Sequence, residues 1–141
     1  MKTGHIVLIE DNPGDVRLVK MALEEGGVSH EVRVFPRGAD ALLTLSAPNA
    51  DLPDAILLDL NTPQTDGFEA YLKLRELPRL ARVPIAILTS SRAGADKHRA
   101  AILGARYVEK PSQLQEFLTT VSRLAKELLE PPASKKSVSL S

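Results

Sequence analysis

The chain has 141 residues, of which 43% are hydrophobic, enough for one well-buried domain and short for two. Its 18 basic and 18 acidic side chains lack the basic excess of a nucleic-acid binder, Lys135-Lys136 apart. The absence of cysteine excludes disulfides, thiolate zinc sites and a cysteine nucleophile, and fits a reducing cytoplasm.

The opening MKTGHIVLIEDN holds a short apolar run, Ile6 to Ile9, that meets two acids, and so predicts neither a signal peptide nor a membrane span. That run is the first predicted strand. Asn12-Pro13 then opens a helix, a capping side chain before a proline at the first helical position, running to about Glu25. Gly26-Gly27 ends it, and Glu31 to Phe35 alternates polar with apolar as an edge strand does. A second helix is expected from Gly38 to Ser46. Ala55 to Leu58 is almost continuously apolar, the pattern of a central parallel strand covered on both faces, and it ends at Asp59.

Asp66-Gly67-Phe68-Glu69 has the form of a capping box for a third helix reaching about Leu77. Val83 to Leu88 predicts a fourth buried strand ending at Thr89, and Ala95 to Leu103 a fourth helix closed by Gly104. Arg106 to Val108 is a short fifth strand. A second capping box at Ser112-Gln113-Leu114-Gln115 introduces the last helix, where Leu114, Phe117, Leu118, Val121, Leu124, Ala125 and Leu128 recur at helical spacing. From Pro131, PPASKKSVSLS is too polar to offset the entropy of ordering, so residues 1–130 are expected to form the domain and 131–141 a flexible tail. The alternation of strands and helices predicts an α/β fold, a five-stranded parallel sheet wound on both faces.

In such open sheets ligands sit outside the carboxyl ends of the strands, where helix N-termini also gather. The first strand ends on Glu10-Asp11, the third on Asp59, the fourth on Thr89-Ser90, and the fifth leads into Lys110. Acids, a hydroxyl and a lysine at one sheet edge form a phosphoryl-transfer inventory: oxygen ligands for a divalent cation and donors for phosphate oxygens. Two carboxylates about 4 Å apart repel by on the order of 4 kcal/mol at an effective dielectric near 20, so a cation is needed before a phosphoryl group arrives. Magnesium suits the site better than zinc, because no histidine or cysteine lies in these loops.

These residues resemble the receiver domains of two-component response regulators. The resemblance covers nearly all of Lys2 to Glu130 and is carried by IEDN at Glu10-Asp11-Asn12, LLDLNTPQTDG around Asp59, ILTSS around Thr89 and YVEKP ending in Lys110-Pro111. It implies a flavodoxin-like (βα)5 receiver fold. Asp59 then corresponds to the aspartate that takes a phosphoryl group from a histidine kinase. The resemblance further implies that Mg2+ is bound by Asp11, Asp59 and the backbone carbonyl of Asn61, with Glu10 acting directly or through water. Lys110 and Thr89 would hold phosphoryl oxygens, and Pro111 would follow a cis peptide. Thr89 and Tyr107 match the family's switch pair, and Asn61 and Ser91 occupy its rate-tuning positions.

This chain has Glu10 where many receivers have aspartate, and Thr62 and Thr65 where the pattern is often apolar. The opening IEDNPGDVRL is especially similar to standalone regulators that partner bacterial phytochromes. With no output domain after the last helix, the signal is expected to leave by protein contact, to a downstream target or a phosphotransfer protein. No contact with nucleic acid or membrane is expected.

Taken singly, each residue has a plainer reading: a turn for Asp59, a helix cap for Glu10-Asp11, a solvated strand end for Thr89, a surface lysine for Lys110, a sheet aromatic for Tyr107. Their common register at the strand ends reverses that balance. Asp15 and Asp66 are left as helix-start residues, and His5, His30 and His98 are given no chemistry. Arg75, Glu76 and Arg79 are expected to solvate the end of the third helix. The last helix's stripe is mostly core, with part of it, beside the fourth helix, suited to a homodimer.

Two rival functions stay open. Asp59-Leu60-Asn61-Thr62 is similar to the nucleophile loop of haloacid-dehalogenase-like phosphatases, although Asn61 stands where that family needs a second acid. The other rival is a degenerate receiver serving only as a binding module. The first reading makes the chain no enzyme beyond its own Mg-dependent phosphorylation and dephosphorylation.

Overall fold

The apolar runs become strands because β-branched and leucine side chains at alternate positions can be buried on both faces of a sheet. The computed structural model describes residues 4–60, 67–91 and 93–130. The strands are β1 (His5–Ile9), β2 (Glu31–Phe35), β3 (Ala55–Leu58), β4 (Ile85–Thr89) and β5 (Arg106–Glu109). Helices α1 (Pro13–Glu25), α2 (Gly38–Leu45), α3 (Gly67–Glu76), α4 (Gly94–Leu103) and α5 (Leu114–Leu129) follow them in turn. All pairings are parallel, in the order β2-β1-β3-β4-β5.

The period of two decides which helices each strand meets. Val7 and Ile9, Ile56 and Leu58, and Ile85 and Ile87 face the core shared with α2, α3 and α4. Ile6 and Leu8, Ala55 and Leu57, and Ala86 and Leu88 face the core shared with α1 and α5. Each fully buried leucine or isoleucine contributes about 1.5–3 kcal/mol, so the sheet is pinned from both sides and its strand ends are held in register. Most of the predicted stripe on α5 is core, with Phe117, Leu118, Val121, Leu124 and Ala125 buried, whereas Leu114 is exposed.

Several local expectations are corrected. α5 is capped by Gln113, whose side chain accepts from the Glu116 amide at 2.9 Å, in place of Ser112. β4 starts at Ile85 rather than Val83, because the Val83 amide is taken by Leu80 O in a turn that follows the 3-10 helix at Pro78–Leu80, and Pro84 has no amide to give. Arg79 does more than solvate a helix end. Its guanidinium donates to the carbonyls of Ala47 and Ala50 and ties down the chain between α2 and β3, while Arg75 donates to Leu80 O at 3.2 Å. Asn12 caps α1 as expected, accepting from the amides of Gly14 and Asp15, and Gly104 closes α4 in the left-handed region at φ 69°.

The capping box at Asp66, the loop positions Asn61, Thr62 and Thr65, and the expected tail at 131–141 lie outside the described residues. Among the described residues, no helix is long and apolar enough to cross a membrane.

Candidate functional site

The strand order reverses between β1 and β3, and in such sheets a crevice opens there at the carboxyl ends. Glu10 follows β1 directly and Asp59 follows β3; their amides donate to Phe35 O and Ile9 O, so the ladder carries both to the crevice. Thr89 is the last residue of β4, and the Lys110 amide donates to its carbonyl at 2.7 Å. Among the described residues, the buried polar and charged side chains are Glu10, Asp59, Thr89 and Lys110. A buried charge is costly unless paired, so this concentration at one sheet edge is the strongest functional signal in the fold.

The pairing is direct. The Lys110 ammonium donates to Glu10 Oε1 at 2.7 Å, to Asp15 Oδ2 at 2.8 Å and to Asp59 Oδ2 at 3.1 Å. Each contact has roughly 5 kcal/mol of gross Coulomb attraction at an effective dielectric near 20. Burial alone would pull the lysine down, but hydrogen bonding to Asp15 and Glu10 and the charge of Asp59 outweigh it, and its pKa is raised. Glu10 is pushed up to about 7, chiefly by burial and then by its closeness to Asp59, with Lys110 pulling the other way. One ammonium therefore does not compensate three carboxylates, and the pocket stays electron-rich. Glu10 Oε2 also accepts from the Asn12 amide at 3.3 Å.

Thr89, at β4's end, accepts from the Ser91 amide through Oγ1 at 3.1 Å. The Ser91 hydroxyl donates to Asp96 at 2.5 Å, and the Ser91 carbonyl accepts from the Tyr107 hydroxyl at 3.1 Å. Burial raises the Tyr107 pKa. The expected switch and tuning residues Thr89, Tyr107 and Ser91 thus form one connected chain; Asn61, expected as metal carbonyl and tuning position, lies outside the described residues. No cis peptide bond occurs among the described residues, so the one expected before Pro111 is not found. What aims Lys110 inward is its backbone pairing to Thr89 and the three carboxylates around its ammonium.

Two more acids border the crevice. Asp11, expected to be the direct metal ligand, is exposed at the crevice end of β1, next to the buried Glu10. Asp15, expected only to start a helix, has its carboxylate in the cluster. The ligand oxygens of Glu10, Asp15 and Asp59 lie within 4.8 Å of one another. A signal for Asp15 exists in the sequence: at the third position of α1, a side chain leans back toward the helix N-terminus and hence toward the strand ends. The donors are carboxylate oxygens throughout, the set a hard divalent cation takes.

Comparison with known proteins decides the family. The family model of the response regulator receiver domain matches residues 6–122. The chain belongs to the response regulator receiver domain family. A response regulator of Synechocystis sp., Rcp1, is 37% identical over 90 residues, spanning 61% of this chain and 61% of that protein. The chain's match thus covers about three fifths of that relative's length. The phosphorylated cyanobacterial phytochrome response regulator RcpA superposes with a TM-score of 0.83 at 33% identity, over 92% of this chain and 96% of that one. The Mn2+-bound form of Rcp1 gives 0.80 at 31% identity, over 90% and 95%.

The five-stranded parallel sheet with helices on both faces is the receiver fold. Receivers accept a phosphoryl group from histidine kinases and bind a divalent metal at an acidic pocket, which the carboxylate cluster here fits. The chain is thus a receiver-domain response regulator homologous to phytochrome response regulators. The phosphatase and binding-module alternatives are not favoured.

Proposed function

We propose that residues 1–130 form a phosphorylation-operated switch in which Asp59 is the phosphoacceptor. The observation that carries this reading is a buried carboxylate bonded to a buried lysine at the sheet's switch point, beside two further acids and the Thr89 hydroxyl. An Asp59 oxygen attacks the phosphorus of a phosphohistidine; the O–P bond forms as the N–P bond breaks, and the electron pair returns to the imidazole nitrogen. The product is an acyl phosphate, a carboxylate acting as nucleophile. Magnesium, held by Asp11, Glu10, Asp59 and the backbone carbonyl of Asn61, would neutralise the charge of the carboxylates and of the incoming group.

Lys110 orients the phosphoryl group through its ammonium, and Thr89 turns its hydroxyl toward a phosphoryl oxygen. That turn breaks its contact with the Ser91 amide, and through Ser91 it reaches Tyr107 and the first turn of α4. Asn61 and Ser91 tune the rate. Added charge of roughly −1.5 to −2 units is what drives the change. The likeness to phytochrome response regulators supports a bacterial phytochrome as the histidine kinase, and a chain without cysteine fits the reducing cytoplasm. The output is a protein contact: a downstream target, a phosphotransfer protein, or a second copy of the chain.

Incubation with acetyl phosphate and Mg2+ should add one phosphoryl group to the intact mass of the wild-type protein and none to Asp59→Asn. Equal labelling of the two proteins contradicts the reading, as does turnover of p-nitrophenyl phosphate, which belongs to the phosphatase alternative.

A further inference from the structure

An ammonium has three N–H donors, and in this protein all three are committed: to Glu10, Asp15 and Asp59. A phosphoryl group arriving on Asp59 brings three acceptor oxygens; it inherits the donor now on Asp59 and takes a second to be held by more than one oxygen. One carboxylate must therefore let go. Glu10 is nearly sealed from solvent, at 2% side-chain exposure, so releasing it leaves a polar group in a poorly hydrated place. Asp15 is 33% exposed, and water can take over its carboxylate.

Asp15 has no competing local duty. The first turn of α1 is capped by Asn12, which accepts from both the Gly14 and Asp15 amides, so the Asp15 side chain is not the cap. It is held across the crevice by Lys110, 95 residues away in sequence. Resting on the functional reading above, we infer that Asp15 is a positioning residue that parks the Lys110 ammonium in the unphosphorylated protein and yields it to the phosphoryl oxygens. Its negative charge also faces an anionic phosphodonor. Both effects set the phosphorylation rate in the same direction: the carboxylate restrains it.

The test compares wild type, Asp15→Asn and Asp15→Glu for the rate of acetyl phosphate labelling, measured across a Mg2+ titration. At saturating Mg2+, Asp15→Asn should label faster by at least about threefold, as expected for removing one charge near the reacting group. Asp15→Asn, which removes a carboxylate from the acidic cluster, should need more Mg2+ for half-saturation, so the rates are compared at saturation; Asp15→Glu, which keeps the charge, should stay near the wild-type rate. A role in helix stability alone would move the melting temperature without separating the charge-keeping from the charge-removing variant.

Labelling by Asp15→Asn at or below the wild-type rate overturns the inference while leaving the functional reading intact, provided Asp59 is labelled in both. A rate change that vanishes once Mg2+ is saturating also overturns it, because Asp15 is then a metal ligand. Asp15→Glu labelling as fast as Asp15→Asn overturns it too. If wild type takes up no phosphoryl group on Asp59, the functional reading falls and this inference with it.

Discussion

At the scale of single residues, the pocket is built on an imbalance between one ammonium and three carboxylates. Glu10 carries the consequence, since its pKa of about 7 lies well above its ordinary 4.5. A raised carboxyl favours the metal-free fold most below its ordinary value, and that contribution is lost as pH rises through about 7. On the proposed reading a divalent cation held at Glu10 needs the ionised form, so its binding expels a proton. Mg2+ affinity measured by titration calorimetry should therefore weaken about tenfold from pH 8 to pH 6, as one proton is taken up across a pKa near 7, and the heat should depend on the buffer's ionisation enthalpy. A pH-independent affinity would mean that Glu10 is ionised throughout.

The same scale separates what was readable in the sequence from what was not. Glu10, Asp59, Thr89 and Lys110 are legible because each interrupts or follows an apolar run at a strand end, where a parallel sheet delivers side chains to one edge. Asp15 is legible only in part: its place in the first turn of α1 aims it at the strand ends, but that spacing is shared by any ordinary first-turn acid and its partner lies 95 residues away. Asp11 is adjacent to Glu10 in sequence, and adjacency says nothing of which of the two is buried.

At the scale of elements, the join between β3 and α3 begins at Asp59, the proposed phosphoacceptor. A Cβ on Gly67 would lie 2.6 Å from the Cα of Leu60, the residue after Asp59, and backbone has little room to give. Glycine there lets α3 begin against the end of β3. Gly67→Ala should cost on the order of 1–3 kcal/mol in urea unfolding through forced backbone movement. Gly94 makes the control: nothing lies within 4 Å of its Cβ position at the first residue of α4. Gly94→Ala should be neutral or stabilising by up to about 1 kcal/mol. Equal effects at the two sites would remove the steric account of Gly67.

Element boundaries were legible to within a few residues where a cap or a breaker marks them. Asn12-Pro13 and Gly104 act as expected, whereas the start of α5 depends on which of Ser112 and Gln113 reaches the Glu116 amide. Arg79 reads as a solvating charge until the fold brings Ala47 and Ala50 beside it. Such long-range partners leave no local periodic trace.

At the scale of the whole molecule, the fold class was readable because both faces of every central strand are apolar and the helices supply matching stripes. What the sequence does not announce is which exposed apolar side chains serve assembly. Ile102 on α4 is 70% exposed and Leu114 at the start of α5 is 55% exposed, on elements next to the Tyr107 strand. If these contacts carry a phosphorylation-dependent homodimer, gel filtration with beryllofluoride and Mg2+ should shift the protein to an earlier elution volume, and Ile102→Lys should abolish the shift. An unchanged elution volume would leave the output to other proteins.

The switch itself rests on the chemistry of one carboxylate. After reaction with acetyl phosphate and Mg2+, reduction of the acyl phosphate with borohydride converts the phosphorylated aspartate to homoserine, which peptide mass mapping locates. The account predicts homoserine at position 59 alone. Homoserine at another acid, or at none while wild type still gains phosphoryl mass, would contradict it.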